Sequence, residues 1–312
     1  MDGVITNVTS GPTFYIFSFF ISEYQRLLIL ITVLLIYVMI CSGNLLIISL
    51  VSLEPRLHTP MYFFLCNLST LDIMYVSTTL PKLMYICHTG DHIMSYTSCM
   101  TQMYFYMTFT DAEGFLLTSM AIDRYVAVCF PLHYSIIMNK QTCFLLILPA
   151  WFMSFLNASI IICFITNLTY FGLVDVANFF CDLKALMNTS SSDASSLKLY
   201  IIVNVAFIGF IPSCLILASY VRIIHTILKI KTSVGRWKTF SSCSSHLTIV
   251  IVYYESAITL YLSDSLKADV VLSLMFVTLV PMLNPLVYSL RNRDIIRALH
   301  IIVHRKTTRF LK

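Results

Sequence analysis

Charge is scarce in this sequence: only 11% of its 312 residues are Asp, Glu, Lys or Arg, against about 25% in soluble proteins. With 58% hydrophobic residues, the two soluble domains that such a length suggests are excluded and the composition is that of a membrane protein. Glycine is scarce as well. The closest of the eight glycines are Gly3 and Gly11, so no GxG pair exists and no glycine-rich phosphate loop can form. No histidine is followed by Glu and no Gly-x-Ser-x-Gly elbow occurs, which removes the zinc-protease helix and the hydrolase nucleophile. The net charge of +5 is not distributed as a nucleic-acid surface would be, and no nucleic-acid partner is expected.

What is present is apolar length. A helix needs about 20 apolar residues to cross a hydrocarbon core, and seven such runs occur, at 27–50, 60–85, 98–128, 141–165, 197–228, 240–262 and 269–289. An all-α, seven-transmembrane helix bundle is predicted. Residues 1–26 lack a basic start and a small-residue cleavage site, so the first run is expected to act as the signal anchor. Fifteen of the twenty Lys and Arg fall after runs one, three and five or in the tail, leaving Arg26, Lys82, Lys184, Lys198 and Lys267 on the other side. The positive-inside rule then gives an extracellular N-terminus at 1–26, a bundle at 27–289 and a cytoplasmic tail at 290–312, in a plasma-membrane protein. Asn7-Val8-Thr9 becomes an outer glycosylation sequon. Ile295, Ile296, Leu299, Ile302 and Val303 form one stripe, as in a short amphipathic helix lying in the bilayer interface.

Two constellations carry chemistry. Run three ends in Asp123-Arg124-Tyr125, and run seven holds Asn284-Pro285-Leu286-Val287-Tyr288. An Asp–Arg pair at a helix mouth can hold a neighbouring helix and release it, although an Arg snorkelling to the interface explains it too. Pro285 frees a carbonyl that Asn284 or water can satisfy. These two strings resemble the signatures of rhodopsin-like G-protein-coupled receptors. Pro60-Met61-Tyr62-Phe63-Phe64-Leu65, the 120–134 string, Lys238-Thr239-Phe240-Ser241-Ser242-Cys243-Ser244-Ser245-His246-Leu247 and Ser289-Leu290-Arg291-Asn292 narrow the resemblance to vertebrate odorant receptors, over essentially the whole chain.

The resemblance implies a receptor that binds a small-molecule odorant within the bundle and activates a stimulatory olfactory-type heterotrimeric G protein, raising cyclic AMP, with no catalytic residues. It places activation and coupling on Asp123, Arg124, Tyr125, Tyr220, His246, Asn284, Pro285 and Tyr288, and a Cys99–Cys181 disulfide at the outer face. The second bridge that odorant receptors usually have within the outer loop has Phe171 and Ser191 at its two places, so a looser loop is expected. The resemblance also implies a sodium-accepting polar centre at Asp72 and Glu113; protonated carboxyls hydrogen-bonded inside the bundle are the alternative. No other cofactor is expected. Span six lacks the proline that many rhodopsin-like receptors carry there.

A ligand pocket is expected between the outer halves of spans three, five, six and seven, from Tyr106, Thr110, Asn204, Ile208, Tyr254, Ile258 and Tyr261, although plain helix packing gives the same stripes. Tyr106, where aminergic receptors have an aspartate, disfavours a receptor of that sort. Glu255 is read as bordering the pocket, either facing a cationic ligand or bonded to a hydroxyl such as Thr278. The competing class is a secondary transporter using buried Asp72 and Glu113, disfavoured because transporters show repeated halves.

Overall fold

The computed structural model describes residues 12–16, 22–262, 266–289 and 295–301. Asn7 lies outside them, as do the side chains of Tyr261 and Tyr288. The hydrophobic runs become seven rods: α1 (Glu23–Leu53), α2 (Pro60–Thr89), α3 (Tyr96–Cys129), α5 (Lys140–Thr166), the pair α7 (Ser195–Asn204) and α8 (Ile211–Leu228), α9 (Ser233–Leu262) and α10 (Leu266–Ser289). Short helices α4 (Tyr134–Ile137) and α6 (Leu183–Thr189) sit in loops, and residues 295–301 form a further helix.

Local chemistry sets the ends. Ser22 caps α1 in a reciprocal box with Gln25, Pro60 opens α2 where its missing N–H costs nothing, and Gly90 closes α2 with φ 74°. A Cβ on Gly90 would also meet the Arg26 guanidinium at 2.6 Å. The fifth rod is continuous through a π turn, Val205–Phe210, in which the Ile211 N–H bonds the Ala206 carbonyl five residues back. Pro212 immediately follows, unable to donate to the usual carbonyl four residues earlier.

Five described helices are long and apolar enough to cross a membrane, or six when α3 and the bent segment after it are taken together. The thirty residues of α9 have the length, but its first turns carry Arg236 and a run of Ser and Thr that lowers its hydropathy. The packing is that of a membrane bundle: Leu35, Leu145, Phe152 and Leu217 stand on the outside, while Asn44, Asp72, Glu113 and Asn284 are buried. In lipid the polar groups, not the apolar ones, need the interior. The rods close a ring, α10 touching both α1 and α9, with α3 in contact with α2, α5, α8 and α9.

The end of the bundle that carries the Cys99–Cys181 disulfide holds a three-stranded sheet that the spans did not foretell. β1 (Thr13–Ile16) lies between β2 (Ile93–Ser95), to which it is antiparallel, and β3 (Leu173–Val176), to which it is parallel. Phe14 and Ile16 are buried beneath it, and Phe14 stacks on Tyr96. In the tail helix Ile295 and Ala298 pack into the core while Ile296 and Leu299 stay on the surface, so the predicted stripe divides between bundle and interface; Ile302 and Val303 lie outside the described residues.

Candidate ligand chamber and activation centre

Along the middle of α3, Tyr106, Thr110, Glu113 and Leu117 share one face, as their spacing requires, and all but half-buried Thr110 are buried. Tyr106 stacks on Tyr75 at 5.5 Å and touches Phe180 of the outer loop at 4.5 Å. Thr110 donates to the Tyr75 hydroxyl at 3.4 Å, and Tyr253 on α9 donates to the Thr110 carbonyl at 2.8 Å. Phe276 on α10 closes the box against Tyr75 and Tyr253. A Cβ on Gly114 would stand 3.3 Å from the Tyr253 hydroxyl, so the small residue there gives that side chain its room.

The roof is the loop between α5 and α7, pinned at four points. Cys99 and Cys181 form a disulfide, and the Cys181 N–H donates to Gln102, whose amide in turn donates to the Thr78 carbonyl. Asn178 donates to Ser273 at 3.0 Å, and Lys184 pairs with Asp269 at 3.0 Å. Where the second bridge of odorant receptors would lie, the Ser191 N–H bonds the Thr169 carbonyl and the Thr169 N–H bonds Ser192. The loop expected to be looser is thus closed by hydrogen bonds in that place. Cys87 is buried and Cys163 exposed, both as free thiols.

Three expectations for the pocket need correction. Ile258 is 56% exposed, and Glu255 is exposed on the same outward face with Ile251, about 200° around the helix from Tyr253. The Thr278 hydroxyl donates to the Leu274 carbonyl and not to Glu255. The inward face of α9 is therefore that of Tyr253, one residue from half-buried Tyr254, whose buried hydroxyl makes no well-formed hydrogen bond among the described residues. Asn204 and Ile208 are half-buried, Ile208 in the π turn that packs on α3. Sequence reasoning missed Tyr75, Phe180, Tyr253 and Phe276. Asp111, on the far side of α3, accepts from Asn157, which accepts from Tyr200, both at 2.7 Å.

Below the chamber lies the polar centre. Asn284 donates to Asp72 at 2.9 Å, and Asp72 and Glu113 are near enough to act on each other electrostatically. One oxygen each of Asp72, Glu113, Ser69 and Asn284 is buried without a hydrogen-bond partner among the described residues. Hard, unpartnered oxygens of this kind suit a small hard cation, although no group of three or more His, Cys, Asp or Glu is brought together among the described residues. The carbonyl that Pro285 frees is met by Asn44 of α1, rather than by Asn284.

At the end of the bundle away from the disulfide Asp123 accepts from Tyr134 at 2.7 Å, and Tyr125 packs edge-on against Phe130. Tyr220 and His246 are joined at 2.7 Å, and the other ring nitrogen of His246 lies 3.1 Å from the Leu117 carbonyl. A carbonyl only accepts, so Nε2 carries the proton and in the neutral ring Nδ1 accepts from Tyr220. Arg124 lies close enough to act electrostatically on both residues.

The family profile described as "Olfactory receptor" matches residues 33–306. The human protein named Olfactory receptor 1E1 is 41% identical over 308 residues, covering 97% of this chain and 98% of its own. Olfactory receptor 1496 of Rattus norvegicus is 42% identical over 299 residues, 95% of this chain and 96% of its own. Human Olfactory receptor 7E24 is 44% identical over 267 residues, 84% of this chain and 79% of its own. With a full-length match of this depth joined to the bundle just described, the chain belongs to the olfactory receptor family.

Proposed function

We propose that this multi-pass membrane receptor holds its odorant in the chamber walled by Tyr75, Tyr106, Thr110, Tyr253 and Phe276 and roofed by Phe180. Olfactory receptors are G-protein-coupled receptors, and the chain, as one of them, binds odorants and signals through a G protein. The observation that carries the site is the 2.8 Å bond from Tyr253 to the Thr110 carbonyl, which ties α9 to α3 at the chamber wall. A ligand wedged against Tyr106 and Tyr253 changes the relative energy of arrangements of these two helices, and only such a differential interaction can shift the population. Further down the same helices, His246 bonds the Leu117 carbonyl, so movement of α9 is felt at Tyr220 and Arg124. Asp123, Arg124, Tyr125, Tyr220, His246, Asn284, Pro285 and Tyr288 form the coupling set of this reading, with a stimulatory olfactory-type G protein and cyclic AMP as output.

Asn204, Ile208, Tyr254 and Tyr261 stay in the reading as the rim towards α7 and the upper turns of α9. Asp72 and Glu113 would hold a sodium ion with help from Ser69 and Asn284, where it would neutralise carboxylates that are costly at membrane depth. An extracellular N-terminus is supported by the placement of the basic residues and by β1, which pairs with the outer loops at the end bearing the disulfide. Disulfides persist on the oxidising side of a membrane. The test is agonist-dependent cyclic AMP in cells given a broad odorant panel: Tyr106→Ala and Phe276→Ala should weaken agonists selectively. Arg124→Ala should abolish output while the protein still reaches the surface. Normal signalling from Arg124→Ala would overturn the coupling assignment.

A further inference from the structure

Between the outer halves of α2 and α3 lies a groove of about 450 Å³, lined among others by Lys82, Met94, Thr97, Ser98, Thr101 and Phe105. It is separate from the odorant chamber: Thr97, Ser98, Thr101 and Phe105 are exposed on the bundle's outer surface, while Gln102 and Tyr106 behind them are buried. Its chemistry changes with depth. Thr97 and Ser98 stand in the first turn of α3, Thr101 one turn lower, and Phe105 another turn down, so hydroxyls give way to an aromatic wall over about 10 Å.

The cation sits at the polar level. Lys82 leaves α2 about two turns below its outer end and reaches up to donate to the Ile93 carbonyl at 2.8 Å, with its ammonium 4.8 Å from the centre of the Tyr85 ring. An ammonium has three donors, and this carbonyl takes one. Among the described residues Thr97 and Thr101 make no side-chain hydrogen bond, and the Ser98 hydroxyl only accepts, from Ser95, leaving its own proton available. The Asp91 carboxylate acts on Lys82 electrostatically but accepts its hydrogen bonds from the Tyr85 hydroxyl and the Ile93 N–H, so the ammonium keeps donors that, with several free hydroxyls above an apolar slot, are complementary to an anion carried on a hydrocarbon chain. A lysine that snorkels to the interface stands at the level of lipid headgroups.

We propose that this groove binds a phospholipid of the outer leaflet, its phosphodiester held by Lys82, Ser98 and Thr101 and its acyl chain running down over Phe105. Occupied in this way, the groove joins a lipid to Gln102, the residue that ties α2 to the roof of the odorant chamber through Cys181.

The experiment reconstitutes the full-length receptor in phosphatidylcholine vesicles containing a phosphatidylcholine with a carbene precursor on its acyl chain. After photolysis, labelling of residues 97–105 is compared with that of residues 145–156 on the lipid face of α5, a reference for bulk lipid within the same molecule. Labelling of 97–105 should exceed the reference. Lys82→Met should reduce the excess by about tenfold, the worth of one charge-assisted hydrogen bond, and Lys82→Arg should preserve it. Because Lys82 also supports Ile93, a second variant, Thr101→Trp, fills the groove from the lipid side and should remove the excess too. The proposal is overturned if wild-type labelling of 97–105 only equals the reference, if Lys82→Met and Thr101→Trp both leave it unchanged, or if inorganic phosphate alone displaces it, which would make the site one for a soluble anion.

Discussion

Asn44 on α1 donates its side-chain amide to the carbonyl of Pro281 on α10, 3.2 Å away. That carbonyl is the one left without an intrahelical donor by Pro285 four residues on, since proline has no N–H. The neighbour of Asn44 makes the approach close: a Cβ on Gly43 would stand 3.1 Å from the ring of Pro285. Asn44→Leu removes the donor and strands a buried carbonyl, at a cost of about 0.6–3 kcal/mol. Unfolding temperatures of the purified receptor measure this, and a variant as stable as its parent would break the proposed link.

Tyr253 and Tyr254 are neighbours with opposite expectations. The Tyr253 hydroxyl bonds the Thr110 carbonyl, whereas the buried Tyr254 hydroxyl, beside Thr118, makes no well-formed hydrogen bond among the described residues. Tyr253→Phe should therefore lower both stability, by about 1 kcal/mol, and agonist efficacy. Tyr254→Phe should leave stability unchanged or raise it, because it removes a polar atom that burial penalises. Dose–response curves for cyclic AMP alongside thermal unfolding separate the two, and equal effects would contradict the assigned inward face.

That face shows where sequence reasoning reached its limit. The spans were legible because apolar length is a property of the chain alone, and the faces of α3 were legible because Tyr106, Thr110, Glu113 and Leu117 carry a period that can be read directly. In α9, Tyr253, Tyr254, Ile258 and Tyr261 offer apolar surface on more than one side, since lipid accepts what a soluble exterior would reject. Periodicity alone could not choose between Tyr253 and Ile258. The Gly114 gap that receives Tyr253 could have been noticed only with the pairing of α3 and α9 in hand. Glu255 was misplaced for a related reason: an acid at membrane depth is expected to face the interior, and this one faces out. Glu255→Gln is consequently expected to leave agonist selectivity unchanged for cationic and neutral odorants alike, a result read from a panel containing both.

The two outer cysteine classes should behave differently. Cys99 and Cys181 hold the roof to α3, and that roof supplies Phe180 to the chamber, so Cys99→Ser or Cys181→Ser should abolish surface delivery or odorant response. The scale is that of a native disulfide in a small secreted domain, about 2–5 kcal/mol. Cys87→Ser and Cys163→Ser remove free thiols and should be milder. Cell-surface labelling and cyclic AMP check this, and equal severity at all four sites would sink the distinction.

Acid should reveal Asp182, which caps α6 by accepting from the Ala185 N–H at 3.1 Å. Desolvation in the outer loop pushes its carboxyl above the usual range, opposed chiefly by the Ala185 N–H and the Lys184 charge. The folded protein thus binds this proton more readily than the unfolded chain does. The stabilisation linked to it is fully present below the ordinary value, about 3.9, and is lost as pH rises through the raised one. Asp91 and Asp193 act oppositely: hydrogen bonds hold them below the usual range, so their contribution is present above that range and lost as pH falls through the lowered values. Asp182→Asn keeps the cap, since Asn serves as well as Asp at that position, and removes only the titration. Its unfolding temperature should exceed that of the parent near neutral pH, and the gap should close as pH falls towards about 4. A gap that stays constant across the titration would show that the Asp182 charge is not what folding opposes.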